Sequence, residues 1–287
     1  MKKFGICPSN KDNCINKYVI KIIEYLQSKN IDVLIDRDFS EIFSLQQIDD
    51  KNQPDVIVSL GGDGTLLLYK RKYSHFEKTI FTAANLGKLG FMADVNIEKF
   101  EDYFEDIFNG QFNIEERLML EWKDLNNKSF FAVNDFVFHR GSSHAMIELK
   151  VLIDSVYFNT FQADGLIIAT PTGSTAYTLA AGGPLVHPTI QSIIMTPICG
   201  HALSNRPFIS HSNNVIEVQL VSTKSTAEMT IDGIDNFIIH PNQTIKIFSS
   251  QKKFKLISYY KKHTFFSTLR DKLHWKGIPH GIASIQS

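Results

Sequence analysis

The hydrophobic period of the chain changes near residue 112, and this change constrains the fold more than any other feature of the sequence. Upstream, short β-branched runs alternate with stretches of helical spacing, which predicts a parallel sheet with helices on its faces. Downstream, short runs of alternating apolar and polar residues are separated by turn residues, which predicts an antiparallel β-sandwich. We therefore predict an α/β domain over 1–111, a β-sandwich over 112–260, and a helical tail over 261–287 that returns to the first domain.

Individual elements of the first domain follow from the same patterns. The runs IDVLID, DVIVSL and TIFTAAN predict strands at 31–36, 55–60 and 79–85, and GTLLLYKRKY between the last two has helical spacing. A further helical run from Ile97 to Phe108 ends at Gly110, a natural stop. Beyond Asp12, apolar residues lie on one face of a predicted helix, namely Ile15, Val19, Ile22, Ile23 and Leu26.

Seven runs predict the strands of the second domain. They are ERLMLEWKD, KSFFAVNDFVFHR, AMIELKVLID, NVIEVQLV, EMTIDGI, TIKIFSS and KFKLISYY. Each is short, rich in β-branched or aromatic residues and bounded by turn residues, as strands of a sandwich are.

Composition excludes several classes of function. The chain has 30 basic and 30 acidic residues, whereas a dedicated nucleic-acid binder needs an excess of positive charge. Its 43% apolar content is that of a folded protein, and no run approaches the ~18 apolar residues that span a membrane. Three cysteines without a CxxC pair indicate a reducing compartment, so we expect a cytoplasmic protein that binds neither nucleic acid nor membrane.

Glycine is concentrated where ligands would be expected. Nine of the sixteen glycines fall in GGDGT (61–65), NLGKLGF (85–91) and the stretch from Asp164 to Pro184. GGDGT directly follows the strand DVIVSL and precedes a helical run, which is where open α/β sheets bind ligands. There glycine N–H groups and a helix N-terminus can surround phosphate oxygens, so Gly61, Gly62, Gly64 and Thr65 are candidate ligand contacts.

Asp63 is the unusual residue of that turn. A carboxylate inside a phosphate cradle is unfavourable unless it meets a metal ion, a hydroxyl or another donor. Held near a hydroxyl and a phosphoryl donor, it could orient the hydroxyl and accept its proton. The alternative is that Asp63 only caps the following helix, which Asp does well.

Two further groups of polar residues are candidate ligand contacts. Asn134 and Asp135 interrupt the apolar run FFAVNDFVFH and suit a base edge and ribose hydroxyls, although a strand end or a turn would also explain them. The stretch from Asp164 to Pro188 supplies hydroxyls and a ring beside the strand GLIIAT, which favours a nucleotide site over a plain loop between sheets. The hydroxyls and the carboxylate that we select as candidates belong to Asp164, Thr170, Thr172, Ser174, Thr175 and Tyr177.

Motifs for other chemistry do not occur. No HExxH or similar ligand spacing is present, which argues against a transition metal held by the protein. The chain has no GxSxG elbow for a nucleophilic serine and no GK[ST] ending that would make GGDGT a Walker loop.

In this order the motifs resemble the NAD kinase family, in particular its bacterial members. The similarity extends over nearly the whole chain and includes Asn134-Asp135, GGP at 182–184, LSNRPF at 203–208, IDG at 231–233 and LRDKLHW at 269–275. GGDGT alone also occurs in lipid kinases and phosphofructokinases, and its combination with DGLIIATPTGSTAY at 164–177 makes the resemblance specific.

The resemblance implies an activity and an architecture. The activity is transfer of the terminal phosphoryl group of ATP, or of polyphosphate, to the 2′-hydroxyl of the adenosine ribose of NAD, which forms NADP, with a divalent metal such as Mg²⁺. The architecture is a Rossmann-like domain followed by a β-sandwich, with the site between them in a homodimer or homotetramer.

The resemblance also implies a role for each site residue. Asp63 would engage the acceptor hydroxyl, and Gly61, Gly62 and Gly64 would make the phosphate turn. Asn134 and Asp135 would hold NAD through its base and ribose. The adenine and nicotinamide subsites would be lined by Asp164, Thr175, Ala176 and Tyr177, some of them in contact with a neighbouring subunit.

Three positions depart from the family pattern. The family commonly has Glu where this chain has Asp135, Gln where it has Ile234, and Arg just before the Asp164-Gly165 pair, where Gln162 and Ala163 stand. Two rival hypotheses remain: a lipid kinase of the diacylglycerol or sphingosine type, and a catalytically weak NADP-binding sensor. The motif DGLIIATPTGSTAY argues against the first, and the retained Asp63 argues against the second.

Overall fold

The computed structural model describes residues 1–87, 90–93, 95–142, 145–201, 205–221, 226–258 and 265–275. Parts of NLGKLGF and LSNRPF, the end of KFKLISYY and most of the 261–287 segment therefore lie outside the described residues. The chain divides into two compact units, the first comprising Met1–Tyr69, Lys78–Ile114 and Ile257–Ser287, the second Lys70–Glu77 and Glu115–Leu256. The domain limits at residues 111 and 260 stay a prediction.

The bounds of the regular elements are as follows. In chain order the strands are β1 (Lys3–Pro8), β2 (Asp32–Ile35), β3 (Val56–Leu60), β4 (Ile80–Asn85), β5 (Val95–Asn96), β6 (Asn113–Arg117), β7 (Leu120–Lys123), β8 (Ser129–Ala132), β9 (Asp135–His139), β10 (Ile147–Ile153), β11 (Val156–Ala163), β12 (Gly165–Ala169), β13 (Ser192–Ile198), β14 (Phe208–His211), β15 (Ile216–Leu220), β16 (Ala227–Ile231), β17 (Asp235–Ile239), β18 (Thr244–Ser249) and β19 (Phe254–Ser258). The helices are α1 (Asn13–Ser28), α2 (Ser40–Phe43), α3 (Asp63–Lys72), α4 (Phe100–Phe108), α5 (Tyr177–Ala180) and α6 (Phe265–Lys272), with 3₁₀ turns at Arg37–Phe39, Ile97–Lys99 and Thr172–Thr175.

A seven-stranded sheet organises the first unit. Its order is β2-β1-β3-β4-β19-β6, with β5 also paired to β4. The pairs β1–β2, β1–β3 and β3–β4 are parallel, as the alternation of strands and helices predicts. From β1 the chain passes to β2 on one side and then to β3 on the other, so the strand order reverses between β1 and β3. Ligands bind at such a switch point, outside the carboxyl ends of the strands.

Helix α1 has the buried face that the sequence predicts. Its buried residues are Ile15, Val19, Ile22, Ile23 and Leu26, the five apolar positions with helical spacing. Each aliphatic side chain taken out of water contributes about 1.5–3 kcal/mol, so this face rather than helix propensity holds α1 on the sheet. Helix α4 also ends as predicted, because Gly110 adopts φ +69° and donates its N–H to the Ile107 carbonyl at 3.0 Å.

Two six-stranded sheets form the second unit. Their orders are β11-β10-β15-β18-β7-β8 and β14-β13-β12-β9-β16-β17. The described pairs within both sheets are antiparallel, which confirms the predicted sandwich-like region. One apolar cluster draws side chains from both sheets, including Leu149, Val218, Phe136, Phe138 and Leu166, all at most 1% exposed.

Two of the differences from the sequence-based prediction concern strands of the first sheet. The run KFGICP forms β1, a central strand of the first sheet, although the sequence analysis predicted nothing there. KFKLISYY was predicted to belong to the sandwich, and this is wrong, because β19 lies between β4 and β6 in the sheet of the first unit. Local alternation identifies a strand, but the sheet that it joins depends on contacts far along the chain.

Two further observations bear on the setting of the protein. Across the ranges given above, no helix is both long and apolar enough to cross a membrane. Cys7 is buried, whereas Cys14 and Cys199 are exposed, and no disulfide joins any of the three.

Candidate active site

The GGDGT turn lies at the switch point of the first sheet. It follows β3 directly, and α3 begins at Asp63 within it. The ends of β1 and β3 are joined there by the Ser9 N–H bond to the Leu60 carbonyl (3.0 Å), and the Tyr69 hydroxyl of α3 donates to the Pro8 carbonyl (2.6 Å). The Gly61 N–H donates to the Ala84 carbonyl (2.9 Å) and the Thr65 N–H to the Gly62 carbonyl (3.0 Å), so these two predicted phosphate donors are already occupied. The N–H groups of Gly62 and Gly64, at the start of α3, are the candidate donors at the place where the fold favours a ligand.

The glycines of the turn fall into two groups. Gly61 is required by the fold, because a Cβ there would lie 2.4 Å from Thr65 Oγ1. Gly62 and Gly64 have space for a Cβ, with the nearest atom 4.0 Å away at Gly62 and nothing within 4 Å at Gly64. Neither has a positive φ. Among the described residues nothing therefore requires glycine at 62 and 64, whereas close approach of a ligand to the backbone would.

Asp63 contacts the second glycine-rich stretch of the first unit. Its Oδ2 accepts the Phe91 N–H at 2.8 Å, and its Oδ1 accepts those of Met92 (3.0 Å) and Ala93 (2.8 Å). A Cβ at Gly90 would lie 2.0 Å from Asp63 Oδ1, so glycine is required there. Asp63 therefore fixes the segment 90–93 beside the turn, a contact that neither sequence interpretation of this residue included.

Asn134 and Asp135 stand at the start of β9 and are held by a residue that the sequence analysis did not select. Asp232 Oδ2 accepts the Val133 N–H at 2.8 Å, and its Oδ1 accepts those of Asn134 (2.7 Å) and Asp135 (3.0 Å). The Asp232 N–H in turn donates to the Asp135 carbonyl at 3.0 Å. Asp-Gly between two apolar runs predicts a hairpin turn, and Asp232 does lie between β16 and β17. Nothing in the sequence near Asp232 predicts that its carboxylate binds the backbone at the start of β9.

The loop after β12 packs on the same residues. Thr170 donates its N–H to the Asn134 carbonyl (2.8 Å) and its hydroxyl to the Val133 carbonyl (2.6 Å). Gly173 approaches so closely that a Cβ would lie 2.2 Å from the Asn134 oxygen. Thr175 and Ala176 are half-buried and Tyr177 is exposed, so the structure brings these three predicted residues onto the loop that adjoins Asn134 and Asp135.

Asp164 lies apart from that group. It precedes β12 whereas Thr170 follows it, so the two stand roughly 20 Å apart at ~3.3 Å per strand residue. In the register of the sheet, Gly165 faces His139 and Ala169 faces Asp135, which places Asp164 and Asp135 at opposite ends of the β9–β12 pair. Within one chain, Asp164 is therefore not brought together with the other predicted contacts of the second unit.

Burial changes the acid–base chemistry of the Asp135–Asp232 pair. Asp135 is 4% exposed, and within the described part of the chain its Oδ2 has no hydrogen-bond partner. Burial, and secondly the charge of Asp232, raises the pKa of Asp135 to about 8. Burial also raises the pKa of Asp232, while its three backbone donors and Arg71, which pairs with Asp235, act in the opposite direction.

A pH dependence of stability follows from the raised pKa of Asp135. Between the ordinary Asp pKa and about 8 the folded state holds a proton that the unfolded state has lost, so stability falls as pH rises through this window. We expect Asp135→Asn to reduce the fall in thermal midpoint between about pH 5 and pH 9. Asp154→Asn is the control, because the pKa of Asp154 is lowered by the Val215 N–H and its effect belongs to more acidic pH. An unchanged slope in Asp135→Asn would contradict the assignment.

The fold and the glycine-rich turn are typical of one class of proteins. These are nucleotide-binding proteins that bind phosphates through glycine N–H groups at the edge of a parallel sheet. Residues 133–259 match the family model described as the ATP-NAD kinase C-terminal domain. The chain is 37% identical over 276 residues to an NAD kinase of Protochlamydia amoebophila (95% of this chain, 98% of the relative) and 36% identical over 282 residues to one of Thermoanaerobacter sp. (95% and 99%). It belongs to the NAD kinase family and is an enzyme of the kinase class.

Solved structures agree with this assignment. The crystal structure of yeast NADH kinase complexed with NADH superposes with a TM-score of 0.88 at 25% identity, covering 96% of this chain and 89% of that one. The structure of an NAD kinase from Archaeoglobus fulgidus in complex with ATP has a TM-score of 0.76 at 23% identity, with 96% and 100% coverage, and supports the fold. The mixed α/β and β-sandwich architecture is that of these enzymes.

Proposed function

We propose that this chain transfers the terminal phosphoryl group of ATP to the 2′-hydroxyl of the adenosine ribose of NAD, forming NADP. The observation that carries the proposal is the GGDGT turn, in which two glycines without a structural requirement flank a carboxylate at the switch point of the sheet. Family membership supports the same activity, and so do the NADH and ATP bound by the two structural relatives.

The first unit would bind phosphate and orient the acceptor. The N–H groups at the start of α3, together with the open backbone at Gly62 and Gly64, would contact phosphate oxygens of the donor. Asp63 would accept a hydrogen bond from the acceptor hydroxyl and take its proton as the phosphorus–oxygen bond forms, while ADP leaves. To do so it must share or exchange the N–H donors of residues 91–93 that now occupy its oxygens.

A divalent cation such as Mg²⁺ would enter this reaction with ATP. No group of three or more His, Cys, Asp or Glu side chains in the described ranges is placed to hold a metal ion. Mg²⁺ is commonly held by substrate phosphates with one or two carboxylates, and Asp63 is the carboxylate of the GGDGT turn. When bound, the cation neutralises charge on the phosphate oxygens.

The second unit would hold NAD. Asn134 has amide donor and acceptor atoms for a base edge, and Asp135 would meet a ribose hydroxyl, while Thr175, Ala176 and Tyr177 would line the neighbouring subsites. Because Asp164 is remote from these residues within one chain, we propose that it serves a nucleotide bound by a neighbouring subunit of a homodimer or homotetramer. We also propose that the enzyme works in the cytoplasm, a reducing compartment in which the exposed thiols of Cys14 and Cys199 would stay reduced.

One assay tests the function. Purified protein is incubated with ATP, magnesium and NAD, and NADP is followed with a coupled NADP-specific dehydrogenase; steady formation of NADP is the expected result. Parallel reactions contain polyphosphate as the donor or diacylglycerol as the acceptor. Phosphorylation of diacylglycerol without NADP formation would replace the proposal by a lipid kinase, and tight NADP binding without turnover would replace it by a sensor.

Gly64→Ala should separate activity from stability. The added methyl group has open space in the protein, and alanine favours a helix over glycine by about 0.5–1 kcal/mol, so the thermal midpoint should be unchanged or higher. The same methyl group would occupy the position of a phosphate oxygen, so we expect kcat/KM for ATP to fall at least ~10-fold, a loss of about 1.4 kcal/mol of transition-state stabilisation.

The control for Gly64→Ala is Glu24→Ala, an exposed position on α1 in the same unit. It should alter neither the thermal midpoint nor kcat/KM appreciably. Full activity in Gly64→Ala would argue against a phosphate at this turn, whereas a large drop in its thermal midpoint would mean that the glycine has a structural purpose after all.

A further inference from the structure

Asp164 is fixed by its neighbours on both sides. Its N–H donates to the Ile198 carbonyl at 3.0 Å, and its own carbonyl accepts the Arg140 N–H at 3.1 Å. The next residue, Gly165, lies so close to β9 that a Cβ would stand 2.3 Å from the Phe138 oxygen. This close approach of β12 to β9 brings the residue that follows β9, Arg140, beside Asp164.

The Arg140 side chain then holds one oxygen of the carboxylate. Arg140 Nε lies 3.2 Å from Asp164 Oδ1, and both side chains are about one-third exposed. Within the described ranges Oδ2 has no hydrogen-bond partner, so it can accept a bond from a ligand. An ion pair this exposed contributes little to stability. The ion pair instead restrains the carboxylate through Oδ1 and leaves Oδ2 for a ligand.

Gln162 of β11 does not contact the Asp164 carboxylate. Gln162, two residues before Asp164, donates its side-chain amide to Glu148 Oε1 across the β10–β11 pair. The positive charge beside Asp164 is therefore that of Arg140, the residue that follows β9.

We propose that Arg140 is a positioning residue for NAD recognition: it orients Asp164 so that Oδ2 accepts a hydrogen bond from an N–H group of the nucleotide. The proposal rests on the proposed function and adds to it a residue that touches the ligand only through Asp164. Chemically the group recognised is an exocyclic amine or carboxamide N–H, because a carboxylate whose other oxygen is paired with arginine is an acceptor.

Arg140→Met keeps much of the aliphatic stem and removes the donor. We expect KM for NAD to rise ~10-fold, the loss of about 1.4 kcal/mol of binding, with kcat changed less than about twofold. KM for ATP should stay as in the wild type. Lys246→Met is the matched control, because Lys246 pairs with Glu217 at 3.1 Å on another face of the same unit, and it should leave all three constants unchanged.

A double-mutant cycle distinguishes positioning from a general structural effect. Asp164→Asn should also raise KM for NAD, and adding Arg140→Met to it should raise KM no further, because Arg140 acts through Asp164. Equal, additive effects in the two backgrounds would overturn the proposal, as would an unchanged KM in Arg140→Met. If the wild type formed no NADP, the proposed function itself would fail, and the same cycle measured as NAD affinity by calorimetry would still test Arg140.

Discussion

Asp63→Asn is expected to lower kcat for NADP formation at least ~100-fold, the lower range of what a positioned acid or base contributes. An amide cannot take the proton of the acceptor hydroxyl. It also offers one acceptor oxygen where the carboxylate offers two to the N–H groups of residues 91–93. The variant therefore loses both chemistry and anchoring, and kinetics alone would not separate the two losses.

Asp55→Asn supplies the comparison for Asp63. Asp55 belongs to the same unit, and its Oδ2 accepts the N–H groups of Lys2 (2.7 Å) and Lys3 (3.1 Å), so it too is a carboxylate that binds consecutive backbone amides. We expect Asp55→Asn to lower the thermal midpoint without a comparable loss of kcat. If Asp63→Asn kept kcat within about threefold of the wild type, the role of Asp63 in proton transfer would be wrong.

The second large effect is expected from Asp232→Ala. This change removes the acceptor of three consecutive N–H groups, and hydrogen bonds to a charged group are worth about 1.5–3 kcal/mol each. Allowing for water that replaces part of this loss, we expect the free energy of unfolding to fall by about 3 kcal/mol, measured by urea denaturation. The displaced start of β9 should also raise KM for NAD.

Asp154→Ala is the control for Asp232. Asp154 Oδ1 accepts the Val215 N–H at 2.8 Å, but Asp154 is exposed, so water can replace the lost acceptor and the free energy of unfolding should change by less than about 1 kcal/mol. If the free energy of unfolding changed by a similar amount in both variants, the buried hydrogen bonds of Asp232 would contribute less to stability than we expect.

Periodicity predicted the elements whose stability is decided locally. The five apolar positions of α1 are its buried face, and the runs 31–36, 55–60 and 79–85 are strands of a parallel sheet. The same patterns predicted nothing for β1, because a six-residue run near the start of the chain has neither an alternating period nor a turn signal before it.

Candidate site residues divide in the same way. Asp63 and the glycines are marked by their own motif, so their position after β3 was predictable from sequence. The acceptor role of Asp232 was not, because it depends on a hairpin about one hundred residues from β9 meeting that strand in the folded sheet. The sequence also could not predict that a Cβ would clash at Gly61 but not at Gly64, because this depends on the atoms around each Cα.

The position of β19 bears on how the chain is made. This strand lies between β4 and β6 of the first sheet, yet the ribosome makes it only after β6 to β18. The segment Glu115–Leu256, which forms most of the second unit, is fully synthesised before β19 is complete. The first sheet therefore cannot be completed until the strands of the second unit have been synthesised.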